Sequence, residues 1–279
     1  MALPSPPFIP VAGIPNLRDI GGYPVHSPRG HLIRPGIVFR SADPSGVTPP
    51  GLTTLLTDLR VAHVYDLRSP AEATRFAAAP SPLAPIRSLI PVFPDRDYGP
   101  EAIALRFRNY ASDDGTSGFV AAYRGILEAG KGSFARVLRH LAAEGDIKPL
   151  LVNCTAGKDR TGVACALVLS LCGVEDAVVA YEFGLTELGL ADKRAEYLRH
   201  LQAMPLFQEN PAGAERMLSA RPESMLATLG LIRDEYGSVE AYVRTECGLS
   251  DEEIERIRRN MVVDASSLGD RPLPTMPYV

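Results

Sequence analysis

The chain has 279 residues, a formal charge of −4 and an ordinary globular composition, enough for one large domain or two small ones. The acidic balance carries no nucleic-acid footprint, and no apolar run is long enough to span a membrane. The N-terminus shows no basic cap before an apolar core, and Cys154, Cys165, Cys172 and Cys247 form no disulfide framework, so the expected location is a reducing cytoplasm.

Residues 1–10 are proline-rich and read as an extended arm. In the next stretch Arg18 and Asp19 sit among apolar neighbours before a Gly21-Gly22 turn; they either brace the fold as a buried polar network or act in catalysis. Two short strands flank Pro35-Gly36, and Thr48 caps a helix whose apolar face is Leu52, Leu55, Leu56 and Leu59. Residues 61–68 read as a strand. Its Asp66 lies at the carboxyl end, where open α/β sheets bind ligands; a structural network of Asp66 with Arg68, or of Arg68 with Glu72, explains it as well. Ser69-Pro70-Ala71-Glu72 is a capping box opening a short helix.

A strand is expected at 86–92. A long polar loop is expected at 94–114, carrying Asp95, Asp97, Asp113 and Asp114. Helices follow at 119–129 and, capped by Ser133, at 134–144. Residues 148–153 form the central strand. Beyond Gly173 the pattern is helical at 175–187 and 191–204, broken at 205–214, and helical again at 223–236, 239–247 and 254–261, with Gly237 and Gly248 as stops and a capping box at Ser250 to Glu253. Residues 264–279 read as an extended tail. The fold expected is one α/β domain over 1–279: a central, mostly parallel sheet flanked by helices, with a helical C-terminal part.

The chemistry concentrates in Cys154-Thr155-Ala156-Gly157-Lys158-Asp159-Arg160-Thr161-Gly162, between the apolar central strand and an apolar helix. A loop that curls around an anion turns successive N–H groups inward, and the helix start adds more donors and a positive dipole end. Gly157 allows the turn, and the planar fork of Arg160 suits phosphate oxygens. A thiol on the floor of such a cradle is favoured as thiolate, the nucleophilic form. Against this, cysteine is often simply a core residue. An ATP-type phosphate loop is rejected, because Val152 and Asp159 stand where it needs glycine and a hydroxyl.

The nine residues resemble the signature of cysteine-dependent phosphatases. More narrowly, they resemble the bacterial and fungal tyrosine-phosphatase-like family whose loop reads Cys-x-x-Gly-Lys-Asp-Arg-Thr-Gly, which includes secreted mycobacterial and Listeria phosphatases active on phosphoproteins and phosphoinositides. The likeness extends to Asn16-x-Arg18-Asp19-x-Gly21-Gly22, Phe39-Arg40-Ser41, Asp66-Leu67-Arg68-Ser69 with Glu72, and Asp234 to Ser238 with Tyr242.

The resemblance implies a phosphatase-like fold and hydrolysis of phosphomonoesters, phosphotyrosine first, through a cysteinyl-phosphate on Cys154, with no metal or cofactor. Arg160 and the N–H groups of Thr155, Ala156, Gly157, Lys158, Asp159 and Arg160 would hold the phosphate. Asp159 is the first choice as general acid and Asp66 the second; Asp159 could instead brace the loop. Lys158 is associated with highly charged substrates such as phosphoinositides, or is a solvated lysine. Thr161 can donate to the sulfur. In the mycobacterial relative the helices that follow form a lid, which here implies 181–220. One departure is Asn153, where the family usually has histidine; it supplies a neutral donor and points to lower activity. The alternatives are a phosphoinositide phosphatase, against which stands the lack of a flanking basic cluster or membrane-binding helix, and a phosphate-binding module with little turnover. The expected partner is a phosphorylated protein or phosphoinositide substrate, with no nucleic acid and no stable membrane insertion.

Overall fold

A computed structural model of the protein describes residues 3–75, 81–94, 100–112 and 116–276. The strands are short: β1 (Arg18–Asp19), β2 (His31–Ile33), β3 (Val38–Ser41), β4 (His63–Asp66), β5 (Arg87–Leu89), β6 (Leu150–Asn153) and β7 (Val262–Asp264). Among the described residues the main sheet has the order β1-β3-β6-β4-β5. The pairs β3–β6, β6–β4 and β4–β5 are parallel, and β1 is antiparallel to β3. The fold is thus α/β with a mostly parallel sheet, as expected.

Register sets the faces. Val152 lies between Arg40 and Tyr65, and Asn153 between Ser41 and Asp66. Val38, Leu150 and Val152 enter the large buried cluster, and Phe39, Val64 and Leu151 enter a second one on the other face. Covering both faces is why the central strand β6 reads as a continuous apolar run up to Asn153.

The helices are α1 (Pro49–Thr53), α2 (Pro70–Arg75), α3 (Pro100–Ala111), α4 (Ser117–Leu141), α5 (Asp159–Leu171), α6 (Asp176–Gly184), α7 (Thr186–Gly189), α8 (Ala191–Gln202), α9 (Pro205–Glu209), α10 (Pro211–Leu218), α11 (Pro222–Tyr236), α12 (Val239–Thr245) and α13 (Asp251–Met261). No helix among the described residues is long and apolar enough to cross a membrane.

Several expectations change. The break between two helices near Ser133 does not exist: α4 runs unbroken for 25 residues, and Ser133 Oγ donates to Pro91 O at 2.9 Å instead of capping. Most of the expected loop over 94–114 is α3, which packs on α4 and α10; Asp95, Asp97, Asp113 and Asp114 lie outside the described residues. The stretch 205–214 is not a plain break, because Pro205 and Pro211 each open a short helix, where proline loses nothing. Strand β2 leaves the main sheet and pairs antiparallel with β7, which lies between the helix expected at 254–261 and the tail and takes in the tail's first residue. The N-terminal arm is docked, with Phe8 fully buried. The segment 181–220 divides: Glu182, Phe183 and Thr186 are core, whereas α8 to α10 build a separate small cluster around Phe207 against Ala111 of α3.

Candidate active site

Central strand β6 delivers Cys154 to the carboxyl edge of the sheet, and α5 starts at Asp159. Cys154 is 2 % exposed. Between them the chain turns at Gly157, with φ +63°; a Cβ there would stand 2.1 Å from Ser41 O, so only glycine fits. The loop's carbonyls have partners behind it. Arg40 NH2 donates to Gly157 O at 2.7 Å, and Asn16 Nδ2 lies 3.3 Å from both Ala156 O and Gly157 O.

Arg160, in the first turn of α5, is held by Glu72 of α2. Its NH1 donates to Oε2 at 2.7 Å and its NH2 to Oε1 at 2.9 Å. Thr155 Oγ1 donates to the same Oε1 at 2.9 Å. Glu72 also closes the capping box with Ser69 N at 2.9 Å. A two-point guanidinium–carboxylate pair fixes the plane of the fork. Sequence reading saw Glu72 only as a cap and as a partner for Arg68; the signal available was its place in the matched pattern.

Asp159 accepts a hydrogen bond from Tyr123 OH at 2.8 Å. Burial, and then the Asp159 charge, push the Tyr123 hydroxyl well above its usual range, so it stays a donor. Lys158 is not a solvated lysine: it is 3 % exposed. Its Nζ donates to Met217 O and, at 3.1 Å, to Ser219 O, and lies 3.5 Å from Asp159 Oδ1. The rings of Tyr110 and Phe119 face it at 5.6 and 5.2 Å, a favourable setting for a cation. It thus ties the loop to the chain leaving α10.

The second-choice acid, Asp66, is fully buried, and arginines hold its carboxylate. Arg68 Nε and NH2 donate to it at 2.9 and 2.7 Å, and Arg87 NH2 approaches at 2.6 Å. Arg68 also pairs with Asp43; of the two expected networks Asp66–Arg68 is the one present, joined by Arg87, while Glu72 pairs with Arg160 and not with Arg68. This geometry is that of a brace. Asn153 points with Ser41 and Asp66 to the face opposite α5; its amide is buried and bonds nothing among the described residues, so the expected donation into the loop is not made. Among the described residues the buried Thr161 hydroxyl likewise has no hydrogen-bond partner, the sulfur included. Cys165 and Cys172 are free thiols that burial pushes up to about 12, as suits core packing.

A family model described as the tyrosine phosphatase family matches residues 9–263. The triple specificity protein phosphatase PtpB of Mycobacterium tuberculosis is 28% identical over 258 residues, covering 81% of this chain and 91% of that protein. A Cupriavidus necator protein named as a candidate tyrosine-protein phosphatase is 30% identical over 241 residues, covering 83% of this chain and 81% of its own length. A tyrosine-protein phosphatase of Nostoc commune is 31% identical over 131 residues, covering 45% of this chain and 42% of that protein. With a cysteine–arginine loop at the head of its central helix and a family match over nearly its whole length, the chain belongs to the tyrosine phosphatase family.

Proposed function

We propose that this tyrosine phosphatase acts on phosphotyrosine in proteins through a cysteinyl-phosphate on Cys154. The carrying observation is the loop that runs from Cys154, at the end of β6, into the first turn of α5, with Arg160 already oriented by Glu72. Cys154 Sγ attacks phosphorus, the bond from phosphorus to the tyrosyl oxygen breaks, and Asp159 gives that oxygen its proton. Water then attacks phosphorus, returning a proton to Asp159. The phosphorus–sulfur bond breaks, leaving inorganic phosphate and the thiolate. Arg160 and the loop N–H groups hold the equatorial oxygens throughout. Asp159 is preferred to Asp66 as the acid because Asp66 is held by Arg68 and Arg87.

The phosphoinositide reading has less support. It rests on Lys158, whose ammonium is engaged by the carbonyls of Met217 and Ser219. The name of the mycobacterial relative, triple specificity phosphatase, favours tolerance of more than one phosphomonoester here. A thiol nucleophile fits a reducing compartment, and the cytoplasm is the location proposed.

Phosphate release by wild type, Cys154→Ser and Asp159→Asn tests the scheme on an aryl phosphate, a phosphotyrosine peptide, a phosphoserine peptide and a soluble phosphoinositide. Cys154→Ser is expected to abolish turnover, and Asp159→Asn to slow phosphotyrosine hydrolysis by roughly 10²-fold or more. Wild type inert under reducing conditions would overturn the reading.

A further inference from the structure

Behind the loop lies a buried polar network with no part in the steps above. Arg18 and Arg40 are fully buried, and both end on Glu182 of α6. Arg18 Nε donates to Oε1 at 2.7 Å, and Arg40 NH1 to Oε2 at 2.6 Å. Arg18 NH2 also donates to Thr186 Oγ1 at 3.0 Å. Burial pushes the Glu182 carboxyl up, but Arg18 and Arg40 more than offset this and hold it below the usual carboxylate range. Such clusters are costly to bury, and packed apolar residues often brace a core as well or better. Hydrocarbon cannot, however, hold carbonyls.

The other arm of Arg40 does so: its NH2 donates to Gly157 O at 2.7 Å and reaches Lys158 O at 3.4 Å. Asn16 Nδ2 reaches Ala156 O and Gly157 O, both at 3.3 Å. Asn16 is in turn held by Arg18 NH1, through its side-chain and backbone oxygens. The Ala156 and Gly157 carbonyls are thus tied back by donors that converge on one carboxylate, and the next one, Lys158 O, is held by Gly162 N of α5 at 2.7 Å. In a planar trans peptide the C=O and N–H point opposite ways. Tying back the carbonyls of Ala156 and Gly157 therefore aims the N–H groups of Gly157 and Lys158 the other way, into the loop. Donors set before the anion arrives need no reorganisation when it binds.

We propose that Glu182 is a positioning residue for oxyanion binding, setting the direction of the loop N–H groups through Arg40 directly and through Arg18 and Asn16. This rests on the reading of the loop as an oxyanion cradle.

Glu182→Gln would strand two buried guanidinium groups and is expected to fold poorly, so the test uses Asn16→Gly and Arg40→Lys. Asn16 has φ +59°, which glycine adopts without strain, so that variant removes only the amide. In Arg40→Lys the charge facing Glu182 is kept, but one ammonium on a flexible stem cannot reproduce the fork that spans Glu182 and Gly157 O. Tungstate binding is measured by calorimetry on the full chain, well below each variant's Tm, with aryl phosphate turnover alongside. Both variants are expected to stay folded by circular dichroism while the tungstate Kd rises about tenfold or more. Folded variants that bind tungstate within twofold of wild type would overturn the proposal. Wild type that binds tungstate without turnover, with both variants weakened, would sink the enzymatic scheme and leave this inference standing. Wild type that binds no oxyanion would overturn both.

Discussion

Glu72 shows how much one carboxylate can coordinate. It caps α2 at Ser69, orients the Arg160 fork and accepts from Thr155. In Glu72→Gln the carboxamide has one oxygen and no charge, so it cannot accept from both arms of the fork, and charge-assisted bonds are roughly twice as strong as neutral ones. Loosening the fork is expected to lower kcat/KM on the order of 10²-fold, while the weakened cap removes only about 1 kcal/mol of stability. Steady-state kinetics beside thermal unfolding decides: unchanged kcat/KM with a lowered Tm would make Glu72 a cap and nothing more. The same residue marks the limit of sequence reading. Cys154, Gly157 and Arg160 were legible because the chemistry depends on their local spacing, and Ser69 with Glu72 was legible as a helix start. The step from Glu72 to Arg160 crosses 88 positions, and that from Arg18 to Glu182 crosses 164; only the fold makes these pairs. Asp66 stood between two readings until β5 placed Arg87 against it.

At the scale of elements, caps and stops were readable, and tertiary packing decided the rest. The Gly130-Lys131-Gly132-Ser133 run looks like a helix break, yet α4 continues through it. Gly130 lies against the ring of Phe134, where a Cβ would stand 2.5 Å away, and Ser133 finds its partner on another segment. Local propensity is a weak prior where a helix face is buried this thoroughly. Helices α8 to α10 are the opposite case. They are short, and their shared core is the small cluster of Leu201, Phe207 and Ala214 with Ala111 of α3, where Phe207 faces Phe107 at 5.8 Å. Removing that ring in Phe207→Ala should cost about 3–5 kcal/mol at the site. Because the cluster is separate from the large one, the loss is expected to appear as faster amide exchange across 191–218, with protection in β6 and α5 kept. Uniformly faster exchange through the whole chain would show instead that these helices open only with the rest of the molecule.

Across the whole molecule the expected parallel sheet is present, but its closure by the chain ends was not legible. Val262 and Val263, between the helix expected at 254–261 and the tail expected from 264, become part of the strand β7 that pairs β2, since a β-branched pair is easily taken up by an open edge. Asp19 sits where these distant parts meet. Its Oδ1 accepts from Gly21 N at 2.8 Å and its Oδ2 from Gly36 N at 2.6 Å, with Arg271 of the tail 3.8 Å away. Burial pushes its carboxyl up from 3.8 to about 6, although both N–H groups and Arg271 pull the other way. The folded chain therefore binds this proton more tightly than the unfolded chain does. The resulting stabilisation is fully present below the unfolded value and is lost as pH rises through about 6. Over that interval it amounts to about 3 kcal/mol. Other carboxylates titrate in the same window, and Glu182, held below its usual range, contributes with the opposite sign. The quantity to follow is therefore the difference in urea-unfolding free energy between wild type and Asp19→Asn, whose side chain is neutral at every pH. That difference should shift against wild type by about 2.4 kcal/mol between pH 4 and pH 7, because at pH 4 the unfolded carboxyl is already more than half ionised. A flat difference would mean that Asp19 is as well solvated by its N–H partners as it would be by water, and that its carboxylate links the N-terminal segment to the turn at Gly36 without a burial cost.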